Sequence, residues 1–269
     1  MIIDAHCHVW PDALAARVLS ARPAGLDPVG NGTLDGLRRT MDAAGIDMAC
    51  TLAIANVPQH VERTNEFVGA VDRSRFIPFG TVHPGLSLDR NLMSLRDNGI
   101  RAVKLHPNFQ SLPLDGLEVV EVLSALATEG VTVLTHVGQG NDAAATDRGS
   151  PLRLRSLSEQ VPDLKLIACH FGGYHRLEEA RREVMGSSVV LETSWPPSLA
   201  ELPGDLVRGL IEEHGAGRFV YGSDWPMADP ATEIAAIRSL DLSPEDERAV
   251  LGGTLAALLD VTPTATAAG

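Results

Sequence analysis

Short apolar runs rich in Val and Ile alternate with longer amphipathic stretches along the whole chain. Eight such runs occur: MIIDAHCHV (1–9), DMACTLAIA (47–55), RFIPFGTVH (75–83), IRAVKLH (100–106), VTVLTHV (131–137), LKLIACHF (164–171), SVVLETSW (188–195) and RFVYGSDW (218–225). Each has strand length, and the intervening segments have helical periodicity, so the chain reads as repeated strand–helix units around a parallel sheet. Residues 34–45 and 114–130 are helical candidates that end on glycine stops. Residues 243–260 open with Ser243 as a cap, Pro244 in the first helical position and acids in the first turn.

Eight units predict a closed α/β fold, a (β/α)8 barrel forming one domain over residues 1–260. An open doubly wound sheet is the competing architecture. Its dinucleotide signature is missing, because the first run continues into HCHVWP rather than a Gly-x-Gly-x-x-Gly turn. Segments 20–33 and 138–150, rich in Gly, Asp and Pro, follow the C-terminal side of strands and are expected to cover a mouth there. The tail 261–269 has little to bury and is expected to fray.

The formal charge of −13 disfavours nucleic-acid partners, which require a basic face, and gives no sign of membrane attraction. No leader-like segment and no bilayer-length apolar run is present, so a cytoplasmic location is expected. The three cysteines, Cys7, Cys50 and Cys169, lie in apolar runs and read as reduced, buried thiols. Arg supplies twenty of the twenty-two basic residues, leaving Lys104 and Lys165 as the only lysines.

Polar residues gather at the ends of the strands. Alternation puts His6 and His8 on one face of the first strand, with Asp4 further back on that face and Cys7 turned to the helices. His83, His106, His136, His170, Glu192 to Trp195, and Asp224 close later strands, and in a barrel all of these lie at one rim. Neutral imidazoles with a carboxylate are a ligand set for a divalent ion. The set His6, His8, His136 and Asp224 is expected to hold one such ion, with His170 beside it as acid, base or carbonyl polariser.

The ordered string DAHCHVW, VKLHP, THVG, CHFGG and YGSDWP resembles the amidohydrolase superfamily, most closely its amidohydrolase-related branch that includes aminocarboxymuconate semialdehyde decarboxylase. The resemblance runs from residue 1 to about 260. It implies a metal-dependent barrel whose ion, usually zinc with manganese or iron as alternatives, is held by His6, His8, His136 and Asp224, with His170 catalytic. One departure is Thr254, which stands where relatives often carry Asn before the last helix.

In binuclear members a fourth-strand lysine is carboxylated and bridges two metals. The KLHP form of Lys104 is typical of the one-metal branch, where this residue is expected to be an internal cation near the substrate or an ion-pair partner. Lys104, His106, Trp195 and Trp225 are candidate substrate contacts, and Trp10 also follows a strand end. Glu192 is expected to support a metal ligand or to pair with a cation.

Two enzyme functions follow from these residues. The first is hydrolysis of a small-molecule amide, lactone or ester-like bond, with Asp224 as proton acceptor and His170 stabilising the oxyanion. The alternative is non-oxidative decarboxylation of an unsaturated or aromatic acid, for which Arg101, Lys104, Arg148 and Arg153 are candidate carboxylate holders. A catalytically silent barrel would have lost Asp224 or a histidine, and none is lost. A homodimer is left open.

Overall fold

The computed structural model describes residues 1–21 and 26–261. The expected tail therefore lies outside the described residues from position 262 onward, as does part of segment 20–33. Eight parallel strands run in sequence order: β1 (Ile3–His8), β2 (Met48–Leu52), β3 (Phe76–Gly80), β4 (Ala102–Leu105), β5 (Thr132–Thr135), β6 (Leu166–Ala168), β7 (Val190–Glu192) and β8 (Phe219–Val220). The first and last strands meet: Ala5 N donates to Tyr221 O at 2.9 Å and His8 N to Trp225 O at 2.7 Å. Eight strands closed in this way, with helices between them, make the (β/α)8 barrel.

Apolar residues divide into two layers. Ile3, Ala5, Cys50, Leu52, Phe79, Ala102, Leu134, Ile167 and Val220 fill the barrel interior. Leu255, on the helix Thr254–Leu259, joins them. Lys165 Nζ reaches Leu258 O at 3.3 Å, so this helix closes the end where strands begin. The larger outer layer, including Leu37, Met41, Leu123, Leu154 and Leu210, lies between strands and helices.

Strand β1 departs from regular alternation. Asp4 pairs with Ala49 but Cys7 with Thr51, so three steps along β1 match two along β2 and one extra residue forms a bulge. Ile3 and Ala5 accordingly face the interior below the bulge, whereas Cys7 above it joins the outer layer as expected. The expectation that Asp4 shares a face with His6 and His8 is corrected by this shift of phase. Asp4 instead accepts from Ser223 N (3.0 Å), Ser223 Oγ (2.6 Å) and His6 N (3.0 Å), tying β1 to the end of β8.

Helix termini follow local chemistry. Thr33 Oγ1 accepts from Gly36 N at 3.0 Å to cap Leu34–Ala44, which stops at Gly45 with φ 69°. The expected single helix over 243–260 is two helices, Pro244–Arg248 and Thr254–Leu259, joined through a wide turn at Ala249–Gly253. A Cβ at Gly252 would lie 2.7 Å from Met1 O, so the chain start passes directly beneath this glycine. Thr254 Oγ1 is buried without a hydrogen-bond partner.

Segment 138–150 is partly helical, Ala143–Arg148 being capped by Asp142 Oδ1 on Ala145 N at 2.7 Å. It is pinned over the mouth by Gly138 N to Gly149 O (2.7 Å) and Gln139 N to Tyr174 O (2.8 Å). All three cysteines are free and buried. No described helix is long and apolar enough to cross a membrane.

Candidate active site

Above the apolar interior, at the end where strands finish, the lining turns polar. The bulge brings His6 inward two residues before His8, and β8 ends four residues before Asp224. His6 Nε2 lies 3.1 Å from His8 Nε2 and 3.1 Å from Asp224 Oδ1, and His8 Nε2 lies 3.4 Å from the same oxygen. These three residues form one of the described groups able to hold a metal ion. Two neutral imidazole nitrogens and a carboxylate oxygen are the donor types a divalent ion of the zinc or manganese class takes, so the residues fit such an ion.

His136, the fourth expected ligand, is not gathered with the other three. Its Nδ1 lies 3.1 Å from His170 Nε2 and its Nε2 lies 3.3 Å from Gln139 O. Its ring stacks on His106 with centroids 4.4 Å apart, and His106 stacks in turn on Phe109 at 3.8 Å. His106 Nδ1 is buried without a partner.

Charges in this layer are strongly perturbed. Burial alone would raise the Asp224 carboxyl, but His6, His8 and Lys104 carry it down to about 2. Burial, reinforced by Lys104, lowers His136 to about 4 and holds His6 well below the usual imidazole range. His170 is lowered in the same way by burial and by His136. The His6, His136 and His170 imidazoles are therefore neutral and Asp224 ionised at neutral pH, the states in which such groups can bind a cation. Asp224 and His170 also adopt left-handed backbone, φ 63° and 59°. Side-chain-bearing residues reach that region only under constraint, and such residues concentrate at functional sites.

Lys104 is fully buried beneath the histidines, its Nζ 3.2 Å from His6 Nε2 and 3.0 Å from Cys169 Sγ. Burial drives the Cys169 thiol above the ordinary range despite the neighbouring amine. Trp225 is wholly buried under Gly30, where a Cβ would meet its ring at 2.4 Å. Trp195 packs against Phe171 and Tyr174 and borders an open hollow with His175 and Arg182. Trp10 is closer to the donors, its ring stacked 6.0 Å from His8.

Three groups had no individual role assigned from the sequence. Tyr174 sits 5.1 Å from the His170 ring, Gln139 contacts His136, and Ser194 Oγ lies 2.9 Å from His170 Nδ1. Only Ser194 carried a signal, its position two residues after Glu192 at the end of a strand.

Comparison with known proteins agrees with this architecture. None of the curated proteins is significantly similar in sequence. Among solved structures, a TIM-barrel protein from Bordetella bronchiseptica superposes with a TM-score of 0.75 at 20% identity, covering 97% of this chain and 98% of that one. A putative 2-pyrone-4,6-dicarboxylic acid hydrolase from Pseudomonas putida gives 0.70 at 19% identity, covering 97% of each chain. A dihydroxybenzoic acid decarboxylase from a Polaromonas species, with bound manganese and an inhibitor, gives 0.73 at 16% identity and 97% of each. The amidohydrolase family model matches residues 3–261, nearly the whole chain, and the protein accordingly belongs to the amidohydrolase family of enzymes.

Proposed function

We propose that this enzyme is a single-metal hydrolase acting on an amide, lactone or ester-like bond of a small molecule. The observation that carries this reading is the meeting of His6 Nε2, His8 Nε2 and Asp224 Oδ1 within 3.1 to 3.4 Å of one another. Those residues would hold the ion, Zn2+ in the first instance with Mn2+ or Fe2+ as alternatives, and His136, now against His170 Nε2 at 3.1 Å, would turn to it as the fourth donor. When bound, the ion supplies Lewis acidity to a carbonyl and acidifies water.

The chain's own groups then divide the proton work. Asp224, ionised in the folded protein, accepts a proton from the attacking water as its oxygen bonds to the carbonyl carbon, and returns it to the leaving atom as the old bond breaks. His170 has Nδ1 committed to Ser194 O at 3.2 Å, so it meets substrate through Nε2. That atom holds a lone pair in the neutral ring, so His170 takes a proton from solvent at Nε2, donates it as a hydrogen bond to the developing oxyanion, and releases it to solvent as the carbonyl re-forms.

The decarboxylase reading is favoured by a different observation. Of its four candidate carboxylate holders, Arg101 is exposed at the far end of β4, Lys104 is sealed below the histidines, and Arg153 is paired with Asp115 and Asp147. Arg148 remains: its Nε is buried with no hydrogen-bond partner, on the helix that packs against residues 107–110 beside His106. A guanidinium so placed suits a substrate carboxylate.

Metal analysis of purified protein should find about one divalent ion per chain. A value near two overturns the single-metal reading and points to a carboxylated Lys104. Turnover of lactones, amides and esters, set beside carboxylic acids assayed for released carbon dioxide, separates the two reactions.

A further inference from the structure

One carboxylate in the polar layer has no part in the chemistry above. Glu192 ends β7, is fully buried, and accepts four hydrogen bonds. Its Oε2 receives His6 Nδ1 at 3.1 Å, Ser194 Oγ at 2.8 Å and His170 N at 3.3 Å, while Oε1 receives Ser194 N at 2.6 Å. Ser194 extends this network to the second imidazole: its Oγ and its carbonyl oxygen lie 2.9 and 3.2 Å from His170 Nδ1.

These partners dictate where the protons sit. An ionised carboxylate and a backbone carbonyl can only accept, so His6 and His170 each carry hydrogen on Nδ1 and keep a lone pair on Nε2. The two Nε2 atoms face the working side, toward His8 and Asp224 in one case and His136 in the other. Space for the carboxylate comes from Gly222, where a Cβ would lie 2.2 Å from Oε1 and 2.7 Å from Cδ. The φ of Gly222 is outside the left-handed region, so volume rather than backbone conformation requires glycine there.

We infer that Glu192, with Ser194 and the space left by Gly222, is a positioning clamp that sets the Nδ1–H tautomer of His6 and His170 together. One buried carboxylate thereby prepares both a metal-facing lone pair and the proton-accepting nitrogen of the neighbouring histidine. The consequence for metal binding rests on the function proposed above; the tautomers do not.

The test uses the full chain, with histidine tautomers read by long-range proton–nitrogen NMR on metal-free protein and Zn2+ affinity read by chelator competition. At pH 8, where the Glu192 carboxyl is ionised, wild type should show Nδ1–H at both His6 and His170. Glu192→Gln places an amide donor in the cage and should mix the His6 tautomers and weaken Zn2+ by about 10–100-fold. Gly222→Ala, which displaces the carboxylate without removing it, should reproduce that loss, and Ser194→Ala should disturb His170 more than His6.

Nε2–H at His6 in wild type overturns the clamp, and this measurement needs no variant to fold. So does a Glu192→Gln protein with unchanged tautomers and affinity. Wild type that shows both Nδ1–H tautomers yet binds no Zn2+ sinks the metal reading and leaves the clamp standing.

Discussion

The two halves of the barrel interior are built from the same eight strands and behave as opposites. Toward the strand starts, Ile3, Phe79, Leu134, Ile167 and Val220 meet as an apolar plug with Leu255. Toward the strand ends, two to four residues further along, His6, Lys104, His136, His170, Glu192 and Asp224 are almost as deeply buried and all polar. Apolar burial stabilises the fold at the first end. At the second, burial raises the cost of charge and so pushes titration away from ordinary values. Residence in the same interior thus gives stability below and reactivity above.

The sharpest way to break that contrast is Asp224→Asn. It keeps shape but removes the ionised oxygen, and kcat should fall by about 10²–10⁴-fold with the thermal midpoint close to wild type. Unchanged turnover would remove Asp224 from the chemistry. The complementary change, Phe79→Ala in the plug, should cost about 3–5 kcal/mol of stability, read by denaturant unfolding, while kcat per folded molecule is kept. Loss of kcat with stability intact would show that the halves are coupled.

The smallest effect is read by pH. In metal-free protein the His136 imidazole should titrate at about 4, well below the ordinary imidazole value of 6.5, followed by NMR. The stability this group contributes is present above pH 6.5 and lost as pH falls through about 4, because the unfolded chain takes the proton first. Glu192 works in the other direction. Burial raises it from 4.5 to about 7, so its contribution is present below pH 4.5 and lost as pH rises through 7. A His136 midpoint near 6.5 would mean that the upper half is hydrated rather than dry.

Much of this contrast was legible in the sequence. Apolar runs of strand length marked all eight strands, and histidines and acids at their ends marked the upper half. The runs were longer than the strands, β8 being only Phe219–Val220 within 218–225, because the functional residues leave the hydrogen-bonded ladder while the apolar pattern continues. The position of Asp4 was not legible, since an inserted residue changes the facing of every neighbour without altering composition. Nor was the joint hold of Glu192 on His6 and His170, which brings together strands 186 residues apart in the chain. The lone lysine inside the barrel was visible as an anomaly of composition; its thiol partner, Cys169, was visible only as another apolar-run cysteine.

The bulge between Asp4 and Cys7 gives the site a parity. Below it odd-numbered residues look into the barrel; above it even-numbered ones do. Deleting one residue there would leave a strand of the same character and nearly the same length, yet would make the two halves share one phase. Either Ile3 and Ala5 would be expelled from the plug or His6 and His8 would turn to the helices, so plug and site depend jointly on the count of residues between them.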